Sequence, residues 1–585
     1  MLDGIPIERL HALLARHMGK PAWPGLDDPA ARRRAIGYAK KYGMWQRLAK
    51  QLDPAKPMPV QKRSEFRSYR RTGLHKDETF PALVHELEAA ALALWLGHPA
   101  GNVDFLQDRI WALCEKSTWV TSYTEYCRID LISSKAASVL SEIVWILGSR
   151  LEAEVKDRVR SEVLRRVLDP AYDYRSADWW RTTDMNWNPV CNANTISAAL
   201  YHFRDDAWLL ASYLHPIIAR LQYAIDGFCD DGGCREGALY WNYGFEHFVQ
   251  AALMLHHRTG GKLNLMAGAK VERICRFPLA AHIAGPVRAC FGDCGNGYIG
   301  AETAIEINRF HDVPELYSIA RRHADGRLAV SGWRGLVLYN GQRAGAEDLA
   351  TDYFLPDLGL AKAHGGKGAG RTTLVAVAGR NDFPHNHNDI GSFVVYRKGA
   401  SLLTDPGGPL YTAKTFGPRR YEIIHCRSLG HSVPLVNGLE QRRGRRHYGT
   451  MRAAGLNTDA EKTVAIDMTH AYRDPTLKSL VRTFVLRCDG AVVMTDAYEF
   501  TRRPQSLEEA FVTYEPARVV AAGRAVRIGS GKAAGTLSCS GTPGRFQVRS
   551  LGEESKSWHT PKEIIRIAFR PKRLSESMTL VFAFS

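Results

Sequence analysis

Apolar side chains recur at helical spacing through roughly the first 350 residues. The clearest runs are Pro81–His98, Ser133–Arg150, Glu154–Leu168, Ala207–Phe228 and Phe245–His257. Short segments carrying Trp, Asn and Gly separate them. The pattern predicts stacked helical hairpins, and no fixed-period repeat runs through them, which excludes a solenoid of identical units. From about Thr372 the period changes to two. LVAVAG, SFVVYRKGASLLTD, TVAIDMTHAY, LVRTFVLRCDGAVVMTDAYEF, RFQVRS and MTLVFAF read as strands, and Asp489-Gly490 between two alternating runs marks a hairpin. The expected architecture is α+β and multidomain: a helical domain over residues 1–360, then an antiparallel β-sandwich over 372–585. Gly365–Gly370 (GGKGAG) reads as the linker or a mobile loop.

Composition changes this picture little. Hydrophobic residues make up 45% and charged residues 24%, as in a globular protein, so disorder, collagen and coiled coil are excluded as overall readings. No stretch approaches the ~18 apolar residues of a membrane span. Asp3, Glu8, Arg9 and His11 break up the N-terminal segment, so no signal-peptide core is read there. The expectation is a cytoplasmic protein, or a periplasmic or secreted one if a leader was removed. The 11 cysteines show no repeating frame, and Cys229/Cys234 and Cys290/Cys294 read as buried or incidental thiols.

Charge changes it more. Lys and Arg number 78 against 61 Asp and Glu, a net +17, and such a surface attracts polyanions. Acidic polysaccharide and nucleic acid are the two candidates.

Four clusters carry candidate chemistry. His385–Asp389 (HNHND) places two histidines on one side of a strand, with Asp405 (LLTDPGG) and His431 (GHSVPLVNG) in neighbouring strands. Two imidazoles and a carboxylate can bind zinc; hydrogen-bonded strand histidines are the bland alternative. Asp184–Asn194 (DMNWNPVCNAN) crowds Asn186, Asn188, Asn192 and Asn194 around Trp187, beside Trp179 and Trp180. Singly these are turn or cap residues, but together they read as a polar pocket floor able to hold a carboxylate. Asp230–Tyr243 (DDGGCREGALYWNY) joins a Gly232-Gly233 turn to Arg235, Glu236, Tyr240, Trp241 and Tyr243, where aromatic faces suit sugars and a phenol can move a proton. Gln441–His447 (QRRGRRH), with Arg419, Arg420 and Tyr421 upstream, offers guanidinium forks for carboxylate or sulfate, or is only a solvated face. There is no phosphate-binding G-x-x-x-x-G-K-[ST] loop and no G-x-S-x-G nucleophile elbow.

Taken in order, NWNPVCNANTISAAL, DGGCREGALYWNYG, FPHNHNDIGSFVVY, LLTDPGGPLYTAKTFGPRRYE and GHSVPLVNG resemble the heparinase II/III-like polysaccharide lyases. The resemblance spans Asn186 to Gly438. It implies an incomplete (α/α) toroid followed by a β-sandwich, β-elimination on uronic-acid-containing polysaccharide or oligosaccharide, and a structural zinc. Matched residue by residue, Asn188, Tyr243 and His385 take the catalytic positions, meeting in one cleft between the two domains. His387, Asp405 and His431 take the zinc positions, with His425 in reserve. Trp187, Asn192, Tyr240, Arg420 and Tyr421 are the expected substrate contacts. Asn188 stands where some members carry His, which leaves it the neutralisation of the substrate carboxylate. Tyr243 or His385 would take the C5 proton.

Two other readings compete. A glycoside hydrolase would need separated carboxylates, such as Glu236 with Asp184 or Asp230. A non-catalytic polyanion-binding protein would need the basic surface but not the Asn/Tyr/His set. No membrane partner is expected, and nucleic acid is not the expected ligand.

Overall fold

The computed structural model describes the chain except residues 1–3, 54–56, 61, 67–78, 122–123, 125–126, 174, 176–177, 346–349 and 558. It divides into two units that are not consecutive stretches. One comprises Met1–Phe228, Trp241–Glu272 and Ile299–Ala346, the other Cys229–Tyr240, Arg273–Tyr298 and Glu347–Ser585. The chain therefore changes unit inside the DDGGCREGALYWNY motif, between Tyr240 and Trp241.

The first unit is helical. Helix Trp187–His202 is buried on nearly every side from Asn188 to Tyr201, as an apolar helix enclosed by others must be. It packs against Leu131–Leu147, Ala207–Asp226 and Glu246–Arg258. Two of these neighbours start where polar caps satisfy the first free N–H groups: Asp130 forms a capping box with Ser133, and Asp206 accepts from Leu209 N. The helix Ala153–Val163 passes through a π turn at Leu164–Leu168 and runs on to Tyr172, and a second π turn, Trp241–Phe245, carries Tyr243. No helix among the described residues is long and apolar enough to cross a membrane.

The second unit is built from antiparallel sheets. A nine-stranded sheet has Lys462–Asp467, Leu477–Leu486, Val492–Phe500 and Ser577–Phe584 as adjacent strands. Alternation in Val492–Phe500 points Val492, Met494, Tyr498 and Phe500 into the core. Phe393, Phe484, Phe511, Phe582 and Phe584 meet there. Five strands, from Tyr353–Leu355 to Ala400–Leu403, make another sheet, and four make a third. The expected hairpin at Asp489-Gly490 is present, with Phe484 opposite Met494 and Gly490 at φ +85°.

Sheet structure starts earlier than Thr372. Tyr353–Leu355 and Leu360–Gly365 are strands, so Gly365–Gly370 is the turn of a hairpin with Thr372–Val377 and not a linker. Leu360–Gly365 is covered on both faces, which erases the alternation. The fully buried Lys362 interrupts its apolar run, donating to the carbonyls of Leu279 and His282.

Candidate active site

HNHND is not a strand. It lies in a loop before strand Phe393–Arg397, and His385 holds a left-handed φ of +60°. A non-glycine residue there is strained, and such strain is retained where surrounding contacts over-determine it. The contacts come from Asp293. Its carboxylate accepts from His385 Nδ1 at 2.9 Å, His387 Nε2 at 3.0 Å, Arg420 at 2.8 Å and the Tyr411 hydroxyl at 3.4 Å. Its backbone N–H donates to His385 O at 3.0 Å. Gly292 makes that approach possible, since a Cβ there would stand 2.8 Å from His385 O. Burial alone would raise the Asp293 pKa, but the two imidazoles and Arg420 hold it well below the usual range.

Asp293 therefore fixes two tautomers at once. His385 donates through Nδ1, so in the neutral ring Nε2 carries the lone pair; it lies 3.5 Å from Glu236 Oε2. Tyr240 stacks on His385, with centroids 3.8 Å apart and planes 21° apart, and its hydroxyl meets that of Tyr411. Burial, with Tyr411 and Asp293 close by, raises the Tyr240 pKa well above 10, so it is a neutral phenol that can donate.

His387 donates through Nε2, leaving a buried Nδ1 with no hydrogen-bond partner. Ligand atoms of His387, Asp389, Asp405 and His431 lie within 4.8 Å of one another, all buried. His431 donates Nε2–H to His425 O at 2.6 Å, so its Nδ1 faces Asp405 Oδ2 at 2.9 Å. Two acceptors at that separation need a cation between or beside them. Without a metal the proton serves: burial opposes the charge, but Asp405 and Asp389 lift the His431 pKa to about 9. Burial likewise raises Asp389. An orphaned imidazole nitrogen, an acceptor pair and an extra buried carboxyl fit a divalent cation, and the Asp293–His387 bond is the outer hydrogen bond that orients such a ligand. His425 is buried with both ring nitrogens unpartnered.

These residues lie in loops, and the core holds the loops in place. Arg482, fully buried beside Asp496, donates to Gly391 O at 2.8 Å and Ser432 O at 2.6 Å, just past HNHND and His431. The Gln441 amide spans Ile390 N and O, and Ser392 Oγ donates to Asp405.

Other expected site residues sit differently. Asn188 and Asn192 are not a pocket floor: one helical turn apart, both are buried. Asn188 Nδ2 donates to the carbonyls of Trp180 and Arg181, and its Oδ1 accepts from Asn192. As placed, Asn188 has no amide hydrogen left for a carboxylate. Tyr243 is 37% exposed, and its turn packs on Asn186, where a Cβ at Gly244 would come within 2.9 Å of Asn186 Cβ. His247 lies edge-on to it. Trp187 is half-buried, 5.2 Å from the exposed Trp179. Arg420 is buried and committed to Asp293 and the carbonyls of Asn386 and Thr415, and Tyr421 donates to Asn386. Of QRRGRRH, the four arginines are exposed and Gln441 is the buried residue.

Asp293 and Tyr411 escaped the sequence reading. Asp293 lies 92 residues before His385 and no spacing ties the two. Its only local cue is the turn-forming Gly292 within FGDCGN.

A helical unit and an antiparallel sandwich unit define the fold of toroid-plus-sandwich polysaccharide lyases, and the comparisons agree. Residues 348–496 match the family model described as Heparinase II/III-like, C-terminal. A solved heparinase III is similar at TM-score 0.64 and 10% identity, covering 98% of this chain and 93% of that one. The heparan sulfate lyase of Pedobacter heparinus is similar at TM-score 0.59 and 11% identity, covering 99% and 92%. The chondroitin AC lyase of Streptomyces coelicolor A3, solved with chondroitin sulphate, is similar at TM-score 0.51 and 11% identity, covering 95% and 82%. No curated protein matches the chain.

Proposed function

We propose that the protein is a polysaccharide lyase that cleaves uronate-containing acidic polysaccharide or oligosaccharide by β-elimination. The observation that carries this reading is His385, fixed by Asp293 with Nε2 as its lone-pair nitrogen and stacked on a neutral phenol. His385 Nε2 takes the C5 proton; the C5–H electrons form the C4=C5 double bond, and the C4–O bond breaks. The leaving oxygen receives a proton from a phenol. Tyr240 stands against His385 and is the first candidate; Tyr243, an exposed phenol of the helical unit, is the second. The net charge of +17 suits an acidic polymer, and similar folds act on heparan sulfate and chondroitin sulfate, by their names.

A zinc ion belongs to the same proposal, held by His387, Asp405 and His431 with Asp389 beside them. Bound there, it would tie together the loops that position His385 and would have a structural role. Elemental analysis should find about one zinc per chain, as for one closed site.

The test is a panel of heparan sulfate, chondroitin sulfate, hyaluronan and alginate, followed by ultraviolet absorbance of the new double bond. At least one polymer should yield unsaturated ends that are lost in His385→Ala. Incorporation of solvent oxygen at the cut bond would replace this reading with the hydrolase.

A further inference from the structure

The GGKGAG turn is no linker, and the site around His385 does not use it. It borders a cavity of about 1250 Å³ within the sandwich unit. That exceeds the ~300–1,000 Å³ that encloses a drug-sized ligand. The walls are turns: Gly285-Pro286 between strands His282–Ala284 and Val287–Arg288, Gly368–Gly370, Lys398-Gly399, and the segment of Lys532. None of its lining residues lines the cavity that holds Glu236, His385 and His387.

The lining carries His364, Arg371, Lys398 and Lys532 and no carboxylate. His364 pairs with Asp352 behind the wall. Lys398 and Lys532 are exposed and form no ion pair among the described residues, so their charge faces the groove uncompensated. Tyr396 adds a half-buried ring, and Gly285, Gly368, Gly370 and Gly399 leave the rim without side chains. Such a groove favours a chain that is anionic and broad, and one that makes ring contacts as well as ionic ones.

We propose that this groove is a second, non-catalytic binding site for an acidic polysaccharide, which holds the polymer while another stretch of it is cut. The ligand class rests on the function proposed above; the groove and its charge do not.

The test uses full-length protein carrying His385→Ala, to prevent turnover, with and without Lys398→Asn and Lys532→Gln. Asparagine suits the left-handed backbone of Lys398, at φ +50°. Binding to heparan sulfate, chondroitin sulfate and double-stranded DNA is measured at low and moderate salt. The double substitution should weaken binding about fivefold to thirtyfold at low salt, the effect of two exposed ion pairs near the top of their usual range. The difference should shrink as salt rises. With His385 intact, the same pair should lower kcat/KM on the polymer and leave a tetrasaccharide within about twofold, a margin well below one exposed ion pair's upper value.

Unchanged polymer binding would overturn the proposal, as would a parent that holds neither polymer. So would an equal loss on the tetrasaccharide, or a loss confined to double-stranded DNA. Weakened glycan binding in the double variant, with no unsaturated ends made by the His385-intact protein, would refute the lyase and leave the groove standing. Lyase activity with unaltered binding in the double variant would do the reverse.

Discussion

Asp293→Asn is the sharpest perturbation the site offers, because one carboxylate sets two imidazole tautomers. Asparagine has nearly the same shape but only one acceptor oxygen. If that oxygen faces His385 Nδ1, the amide NH2 faces His387 Nε2 and Arg420. His387 must then accept through Nε2, which moves its proton to Nδ1, the nitrogen left for the metal. If the amide is flipped, its NH2 faces His385 Nδ1, and His385 carries its proton on Nε2, where the base is needed. No orientation preserves both. Loss of a general base costs about 10²–10⁴ in rate, and loss of a ligand's outer hydrogen bond costs about 10–100-fold in metal affinity. Breaking a buried ion pair costs ~3–5 kcal/mol; Arg420 keeps the carbonyls of Asn386 and Thr415, so the stability cost lies towards the lower end.

The assay measures kcat on the responsive polymer at saturating zinc, beside zinc affinity by competition with a chelator. At least one of the two should fall by its stated factor. Both staying within about threefold of the parent, well short of those ranges, would refute the claim that Asp293 governs the two histidines.

Three further outcomes follow from the same contacts. Gly292→Ala places a Cβ 2.8 Å from His385 O and should cut turnover at least tenfold, at a stability cost of about 1–3 kcal/mol, the usual overpacking range; unchanged kinetics would show that the loop yields freely. Tyr240→Phe should lower turnover by about 100-fold with polymer binding little changed, and if it does not, Tyr243→Phe should; activity in both variants would remove the phenol from the mechanism. Lys362 is buried, and burial lowers its pKa from 10.5 to about 7, so between those values the folded chain binds fewer protons than the unfolded one and stability rises with pH. Lys362→Met should be less stable than the parent near pH 10, because it lacks the bonds to Leu279 O and His282 O, and should gain on it as pH falls from about 10 to about 7, with no further gain below 7; a difference independent of pH would refute the burial argument.

Much of this was legible in the sequence. The helical and strand periods each follow from one apolar face, and they located several of the long helices and most of the sandwich strands; the central helix Trp187–His202 was not among them, because it is buried on nearly every side and carries asparagines at and near its start. Reading failed where a strand is buried on both faces, as in Leu360–Gly365, because nothing alternates there. It failed again at HNHND, where a two-residue spacing imitates a strand but the backbone turns through a left-handed His385. The cluster of His387, Asp405 and His431 could be read because each sits beside turn-forming Gly, Pro or Asn. Asn188 could not be placed, because an amide that holds a substrate and one that ties a helix to a neighbouring turn have the same sequence signature.

The least legible residue is the one that organises the site. Asp293 comes from a segment far from HNHND in sequence, held there by the short Gly292–Asp293 backbone contact with His385. Only the fold brings it beneath two histidines. Once it is there, its charge decides which nitrogen of His385 accepts a proton and which nitrogen of His387 is open to a metal. The proposed base and the proposed metal site thus share a single carboxylate. A change that weakens one should weaken the other, whereas a site assembled from independent histidines would lose them one at a time.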